Sequence, residues 1–441
     1  MEAETKHDIR EIHMNDSLFD FIRRSPSPFH AVAHAAEMLE DEGFIPLCES
    51  KDFELENGRG YYVTRNGSSL IAFRVPEGDF SGFMMAAAHS DSPCFKIKEN
   101  AELADDTYVR LAVEKYGGML CSTWMDRPLS VAGRVTVRRP GGIETRLVDL
   151  GGPAAIIPNV AIHLNRKAND GMAYDAAVDM LPLYGGATAA GSFRARIAEA
   201  CAVAEDDILT TELAVYVPED GVEWGDFISA PRLDDLQCAF AALTAFIGAK
   251  DGDSMPVFCL FDNEEVGSQT KQGAAGTFLS DVLSRIASSL GIGADEYRRL
   301  VSQSFLLSCD NAHAVHPNHP ELSDKSHRVK MNGGIVLKYN ADQKYTTDAV
   351  SAALFRMICE EAGVPVQTYA NRADMAGGST LGNIANTQVS LNTADIGLAQ
   401  LAMHSAFETA GADDTEYMVR AMKVFFGKSV VMERDGMYRL A

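Results

Sequence analysis

The stretch Val257-Phe-Cys-Leu-Phe-Asp-Asn-Glu-Glu-Val-Gly-Ser-Gln269 joins an apolar run to three acidic residues, Asp262, Glu264 and Glu265. The apolar run over 257–261 is typical of a buried strand, and the acids follow at its C-terminal end. In an open α/β sheet, that end is where ligands bind. Two adjacent glutamates are costly to desolvate there unless a cation or a proton compensates their charge. An exposed acidic turn is the plain alternative for an isolated Glu-Glu pair.

Four other segments have the same form, in which a hydrophobic run ends at residues that can ligate a metal. They run from Phe83 to His89, with Asp91 beyond it; from Pro231 to Asp234; from Phe305 to Asp310, with His313 beyond it; and from Leu398 to His404. One such segment is ordinary. Five in one chain favour a shared site at the ends of the predicted strands.

The side chains at these ends comprise two imidazoles, at least three carboxylates and no cysteine. This donor set suits zinc, manganese or cobalt rather than an iron–sulfur cluster or copper(I). Two metals about 3.5–4 Å apart need one bridging carboxylate and about two further ligands each, which leaves one glutamate over. A spare glutamate beside a water suits amide hydrolysis, first as the base and then as the acid that protonates the leaving amine. The pattern therefore predicts a hydrolase.

The composition excludes several classes of partner. The 441 residues are 46% hydrophobic and 23% charged, as in an ordinary globular protein. A net charge of −23 without a basic cluster argues against nucleic acid and anionic membranes as partners. No apolar run is long enough to span a membrane, and the charged start MEAETKHDIREIHMND lacks the core of a signal peptide. The eight scattered cysteines indicate reduced thiols, so we expect a cytoplasmic protein.

The pattern of elements predicts two domains, one of which interrupts the other. Residues 1–92 and 231–441 alternate helices with apolar strands, which indicates an α/β fold with a mostly parallel sheet. Residues 93–230 are typical of short strands separated by glycine turns, with one helix among them. His89 can meet Asp234 only if 93–230 is an insertion. We therefore expect a discontinuous catalytic domain and an inserted β-rich domain.

Seven motifs along the chain together match one known family. In order, they are Ser25-Pro-Ser-Pro-Phe-His30, Ala88-His-Ser-Asp-Ser-Pro93, Ser122-Thr-Trp-Met-Asp-Arg127, Pro231-Arg-Leu-Asp234, Asp262-Asn-Glu-Glu-Val-Gly-Ser268, Ala312-His-Ala-Val-His-Pro-Asn318 and Gln400-Leu-Ala-Met-His-Ser405. By these motifs the chain resembles the aspartyl aminopeptidase family, the M18 metallopeptidases, from about residue 15 to about residue 428. The resemblance implies the α/β/α sandwich of the di-zinc aminopeptidases, with an inserted domain for dimerisation and substrate gating.

The resemblance also implies two divalent ions per subunit, zinc ahead of manganese and cobalt. By that likeness, Asp234 bridges the two ions. The terminal ligands are His89 and Asp310 on one ion, and Glu265 and His404 on the other.

Three further features of the metal centre follow from the resemblance. Glu264 is expected to be the general base. Asp91 is expected to hold the far nitrogen of His89, an interaction that fixes the tautomer of a ligand. The peptide bond Asp234–Asp235 is expected to be cis, which is rare outside proline.

The same likeness assigns substrate contacts to His163, His313, Lys338, Tyr345, Gly377 and Gly378. His163 would reach from the inserted domain into the site of a neighbouring subunit, and the glycines would bring backbone close to the substrate. Taken by pattern alone, His163 in an apolar strand is typical of a core histidine and Lys338 of a surface lysine. Lys338 would favour an N-terminal Asp or Glu, although a lysine there could equally serve the backbone or a structural pair.

The sequence and its resemblance thus predict a metalloaminopeptidase that acts on peptides with a free N-terminus, Asp- and Glu-peptides among them. A deacylase or dipeptidase of related chemistry and a non-catalytic assembly subunit are the alternatives. A β-rich insertion with exposed strand edges favours homo-oligomers. By resemblance, dimers formed through the insertion would assemble into a tetrahedral dodecamer.

Overall fold

A computed structural model describes residues 13–250 and 252–441 of the chain. Most of the charged N-terminal sequence, on which the expectation of no signal peptide rests, lies outside these ranges. Within them, no helix combines the length and the apolar character needed to cross a membrane. The α-helices that they contain are α1 (Met14–Arg23), α2 (Pro28–Asp41), α3 (Phe193–Ala200), α4 (Leu233–Ile247), α5 (Phe278–Ser289), α6 (Ala294–Ser302), α7 (Ala349–Ala362), α8 (Leu381–Ala385) and α9 (Asp414–Phe426).

The strands of the described residues form three larger sheets and a hairpin. In chain order they are β1 (Ile45–Leu47), β2 (Gly60–Arg65), β3 (Ser69–Arg74), β4 (Phe83–His89), β5 (Cys94–Ala104), β6 (Tyr108–Tyr116), β7 (Ser130–Arg139), β8 (Gly142–Asp149), β9 (Leu183–Gly186), β10 (Ile208–Tyr216), β11 (Val222–Trp224), β12 (Phe227–Ala230), β13 (Met255–Phe261), β14 (Phe305–Cys309), β15 (Ala312–His313), β16 (Ile335–Tyr339), β17 (Val366–Ala370), β18 (Asn392–Gly397), β19 (Ala399–Leu401), β20 (Glu408–Gly411), β21 (Val430–Arg434) and β22 (Met437–Leu440).

The largest sheet has nine strands in the order β1-β2-β3-β13-β4-β14-β18-β16-β17. Five of its eight pairings are parallel, and the other three are antiparallel. Strands β4, β13 and β14 are buried at every residue because helices cover both faces of this part of the sheet. Burial on both faces explains why their sequences are continuous apolar runs. The prediction of a mostly parallel sheet is confirmed.

Alternate residues of β4 enter two different cores. Met84 and Ala86 pack on the face covered by α1, α2, α4, α7 and α9. Met85 and Ala87 pack on the opposite face, with α5 and with residues of α6 and α8. This alternation follows from the two-residue period of a strand. The α/β/α sandwich that the resemblance implied is confirmed.

A second sheet is built from the segment between β4 and β12. Its six strands, in the order β8-β7-β10-β5-β6-β9, pair antiparallel throughout and enclose a core of their own together with α3. Because β4 and β13 are neighbours in the central sheet, the chain leaves that sheet after His89 and returns to it at Met255. This path allows His89 to share a site with residues far along the chain.

A third sheet, β11-β12-β20-β19-β15, lies beside the ends of the central strands. It carries His313 in β15 and supports the loop between β19 and β20, which contains His404. Helix α4 starts after Arg232, whose φ of +58° lies in the left-handed region. The next turn holds the cis peptide Asp234–Asp235, as the resemblance implied.

Candidate active site

The ends of the central strands open into a cavity of about 200 Å³. Most of the residues that the sequence singled out line this cavity: His89, Asp234, Glu264, Asp310, His313, Lys338, Tyr345, Gly378 and His404. Glu265 lies beside it, with its side chain only 4% exposed. The structure therefore brings the predicted metal ligands and the predicted base to one place.

Asp234 lies between two histidines, one on each side of its carboxylate. Its Oδ1 is 3.5 Å from His89 Nε2, and its Oδ2 is 3.4 Å from His404 Nε2. His404 Nε2 is also 3.3 Å from Glu265 Oε1. Ligand atoms about 2.0–2.2 Å from zinc at tetrahedral angles lie about 3.3–3.5 Å from one another. The spacing of these groups therefore fits cations placed between them.

Two carboxylate oxygens of this cluster lie near histidine nitrogens but form no hydrogen bond of ordinary geometry. Asp234 Oδ1 and Glu265 Oε1 are buried and form no hydrogen bond within the described residues. Burial raises the pKa of Glu265 to about 7, and burial also raises the pKa of Glu264 and of Asp310. Buried carboxylates stay ionised at neutral pH when a cation or hydrogen-bond donors compensate their charge. The imidazole and carboxylate donors thus fit a divalent metal.

Asp91 organises both sides of the cluster. His89 Nδ1 lies 3.0 Å from the main-chain carbonyl oxygen of Asp91 and 3.4 Å from its carboxylate. The fully buried carboxylate accepts hydrogen bonds from the N–H groups of Glu264 and Glu265, at 3.1 and 3.2 Å, and from the hydroxyl of Tyr116, at 2.6 Å. Whereas the resemblance implied a contact between the Asp91 side chain and His89, the shorter contact is to the main-chain oxygen. The side chain of Asp91 mainly holds the loop that bears the two glutamates.

Two acidic residues to which the sequence assigned no role in metal binding support the predicted metal ligands. Glu408, 2% exposed, accepts hydrogen bonds from the N–H groups of Asp234, at 3.0 Å, and His404, at 2.7 Å. Asp235 Oδ2 accepts one from the N–H of His89 at 3.2 Å. The only sequence signal for Glu408 is an acid inside the apolar stretch 406–411. These contacts fix the backbone of three predicted metal ligands.

Lys338 is buried, so the interpretation of a surface lysine is wrong. It is 2% exposed, and its Nζ lies 3.1 Å from the carbonyl oxygen of Asn311 and 3.6 Å from Asp310 Oδ1. The Tyr345 ring is 5.3 Å from the same nitrogen. Burial lowers the pKa of Lys338, but Asp310 and other neighbouring groups outweigh it and hold the pKa above its ordinary value. The lysine therefore brings a positive charge to the cavity.

The remaining predicted substrate residues divide between the cavity and the surface. His313 lines the cavity with its ring 6.1 Å from that of Tyr369, and burial lowers its pKa, which favours a neutral imidazole. Gly378 also lines it, whereas a Cβ on Gly377 would lie 2.5 Å from the Asn371 side chain. A Cβ on Gly378 would meet no atom of the described residues within 4 Å. Within the protein, a side chain would therefore be hindered at Gly377 but not at Gly378.

His163 lies outside this cavity, in an exposed turn of the segment between β8 and β9. The interpretation of a core histidine in a strand is wrong, because the apolar residues around it are exposed. Ile162 is 48% and Leu164 83% exposed.

These features define a metallohydrolase: an α/β/α sandwich whose strand ends gather imidazoles and carboxylates around a cavity. A family profile described as Aminopeptidase I zinc metalloprotease (M18) matches residues 21–426. A probable M18 family aminopeptidase 2 of Clostridium novyi (strain NT) is 41% identical over 428 residues, covering 94% of this chain and 99% of the relative. The chain belongs to the M18 family of zinc metallopeptidases and is an aminopeptidase, a hydrolase that acts on peptide bonds.

Two solved structures share the fold over the same length. The cryo-EM structure of the Ape4 and Nbr1 complex contains a chain that is 33% identical, with a TM-score of 0.90, and the match covers 93% of this chain and 85% of that one. The mApe1 dodecamer of S. cerevisiae is 29% identical, with a TM-score of 0.80, covering 93% of this chain and 95% of that one.

Proposed function

We propose that this aminopeptidase works with two divalent metal ions and removes N-terminal residues from peptides with a free N-terminus. The observation that carries the proposal is the Asp234 carboxylate, which turns one oxygen to His89 and the other to His404. A carboxylate in this position suits a bridge between two cations. The unpartnered oxygens of Asp234 and Glu265 support the same assignment.

The ligand set is the one that the resemblance implies, and its members all lie in or beside the cavity. Asp234 would bridge, with His89 and Asp310 on one ion and Glu265 and His404 on the other. When bound, the ions supply Lewis acidity at the scissile carbonyl and make water a stronger acid. Zinc is the ion that we propose, because the donors suit it and the family is one of zinc proteases.

Glu264 is the residue that would move protons. Its carboxylate lines the cavity next to the ligand Glu265, and its backbone N–H is held by Asp91. Burial raises its pKa, which brings its proton affinity closer to that of a general base working at neutral pH. Glu264 would take a proton from the attacking water and pass it to the leaving amine.

The pocket would receive the side chain of the N-terminal residue beside Lys338 and Tyr345. The charge of Lys338 supports acceptance of Asp or Glu at this position. Its pairing with Asp310 at 3.6 Å reduces that attraction. His313 would lie near the reacting carbonyl, and the backbone at Gly377 and Gly378 would border the substrate.

We also propose that the chain forms a homo-oligomer, a dodecamer assembled from dimers. The related S. cerevisiae protein is a dodecamer. Residues 93–230 would form the dimerisation and gating domain, with catalytic residues in 1–92 and 231–441. Exposed Ile162 and Leu164 support burial of this part in an interface, from which His163 would reach a neighbouring site. The eight free thiols support a cytoplasmic location.

The test is cleavage of Asp-, Glu-, Leu- and Lys-amide reporters with free N-termini by the purified protein. The assay is run with added zinc, with added manganese and after chelation. We expect release of the N-terminal residue that is lost on chelation and restored by zinc. Cleavage of N-acylated substrates alone would indicate a deacylase instead, and no cleavage with any metal would favour the non-catalytic subunit.

A further inference from the structure

A buried carboxylate behind the cavity is not used by the proposed mechanism. Asp395 lies in β18 and is 0% exposed. Within the described residues it has no lysine, arginine or histidine nitrogen within 4.0 Å. A buried carboxylate without an ion pair must be satisfied by hydrogen bonds. The residues that supply those bonds show what Asp395 holds.

Both oxygens of Asp395 accept hydrogen bonds from loops that are distant in sequence. Oδ2 accepts from the N–H of Thr346 at 2.5 Å and from its hydroxyl at 2.7 Å. Oδ1 accepts from the hydroxyl of Thr380 at 2.5 Å. The N–H of Asp395 donates to the Thr347 hydroxyl at 2.8 Å. One strand residue thus hydrogen-bonds to two loops, and we call this set of hydrogen bonds the clamp.

These loops form one side of the cavity, which we call the pocket wall and define as residues 344–347 and 377–380. Tyr345 directly precedes Thr346, and Gly378 lies two residues before Thr380. Tyr345, Gly378 and Thr380 line the cavity. A second tie joins the two loops, since Lys344 Nζ donates to the carbonyl oxygen of Gly377 at 2.9 Å. The hydrogen bonds from the loops to a strand of the central sheet pass through Asp395.

The Asp395 carboxylate does not hydrogen-bond to any of the proposed metal ligands or to Glu264 within the described part of the chain. We propose that Asp395 is a positioning residue that sets the pocket wall for the N-terminal side chain of the substrate. The inference rests on the proposed function only in naming what the pocket receives. Loss of the clamp then weakens substrate binding while the chemistry at the metal centre continues.

The experiment removes either the acceptor or one donor of these hydrogen bonds. Asp395→Ala removes the acceptor, and Thr380→Val removes one donor with little change of shape. Asp414→Ala is the matched control, because Asp414 is also 0% exposed and accepts two hydrogen bonds, from the N–H groups of Asn332 and Gly334 at 2.7 and 3.0 Å. Thr380→Ser keeps the hydroxyl that Thr380→Val removes, and it lacks only the methyl group of the threonine.

The measurements are KM and kcat on the Leu- and Asp-amide reporters and hydrogen exchange of the two wall segments. We expect Asp395→Ala and Thr380→Val to raise KM about tenfold with kcat within about twofold, and Thr380→Ser to recover most of the loss. Exchange over 344–347 and 377–380 should be faster in the first two variants and unchanged in Asp414→Ala. If Asp395→Ala does not fold, Thr380→Val alone decides.

The inference is overturned if KM and exchange stay at wild-type values in both clamp variants. It is also overturned if kcat falls while KM is unchanged, because the clamp would then serve the chemical step. If the wild-type protein cleaves no reporter, the proposed function fails, and hydrogen exchange still decides whether Asp395 holds the wall.

Discussion

The metal cluster and the pocket wall are held by buried carboxylates in different ways. The proposed metal ligands lie at or after the ends of strands or, for Asp234, at the start of α4. Three separate acids, Asp91, Asp235 and Glu408, accept hydrogen bonds from the backbone N–H groups of four of them. The pocket wall consists of two loops that meet one acid, Asp395. Several acids thus hold the proposed metal ligands, whereas, within the described residues, the hydrogen bonds from the pocket wall to the central sheet meet at one acid. Changes at the cluster should abolish chemistry, and changes at the wall should alter selectivity.

The largest effect should come from removing the metals. The cluster places Asp234 and Glu265 with unpartnered buried oxygens, so without cations these carboxylates repel one another and resist burial. We expect chelation to abolish peptide cleavage and to lower the melting temperature, and zinc to restore both. Cleavage and melting are measured on the same dialysed sample. Full activity in a sample shown by elemental analysis to be metal-free would contradict the metal-dependent mechanism.

Glu264→Gln should have the next largest effect. The substitution keeps the shape of the side chain and the N–H contact to Asp91, but it removes the group that accepts the proton. We expect kcat to fall about 10²–10⁴-fold with little change in KM, and bound zinc to remain near the wild-type amount. The control is Glu321→Gln, an exposed acid outside the cavity. Wild-type kcat in the Glu264 variant would remove it from the mechanism.

Glu408→Gln tests the support of the cluster rather than its chemistry. Of the two oxygens of the Glu408 carboxylate, one accepts a hydrogen bond from the N–H of Asp234 and the other accepts one from the N–H of His404. A glutamine side chain has only one oxygen, so one of these two N–H groups loses its acceptor. We expect zinc affinity to fall about 10–100-fold, measured by competition with a chelator, and activity to recover at high zinc. Asp414→Asn, a buried acid outside the cavity, is the control and should keep its zinc. Unchanged zinc affinity in the Glu408 variant would show that the other acids suffice.

The candidate ligands at strand ends could be predicted from the sequence because a strand that is buried on both faces is a continuous apolar run. The runs that became β4 and β13 are continuous apolar segments, and they end directly at His89 and at the Asp262–Glu265 turn. A strand covered on both faces can hardly have another composition. The sequence therefore indicated the parallel sheet and the place of the site together.

Other features depend on contacts that no local pattern records. Glu408 meets Asp234 across 174 residues, so its role is invisible until the chain folds. Burial of Lys338 is compensated by Asp310 and by the Asn311 carbonyl, which lie 28 and 27 residues earlier in the chain. By pattern alone, His163 was expected in a buried strand, but its segment lies at the surface. Exposed Ile162 and Leu164 have the composition of a strand without its burial.

Lys338→Met should have the smallest effect and addresses the charge that lies beside the pocket wall. The methionine fills a similar volume and removes the charge beside the pocket. We expect the ratio of kcat/KM for the Asp reporter to that for the Leu reporter to fall about tenfold, because only the acidic side chain gains from the charge. Lys428→Met, which removes a lysine paired with Glu361 outside the cavity, is the control. If both reporters slow equally, the role of Lys338 is to hold Asp310 in place. Selection of the N-terminal residue must then come from the shape that Asp395 imposes on the pocket wall.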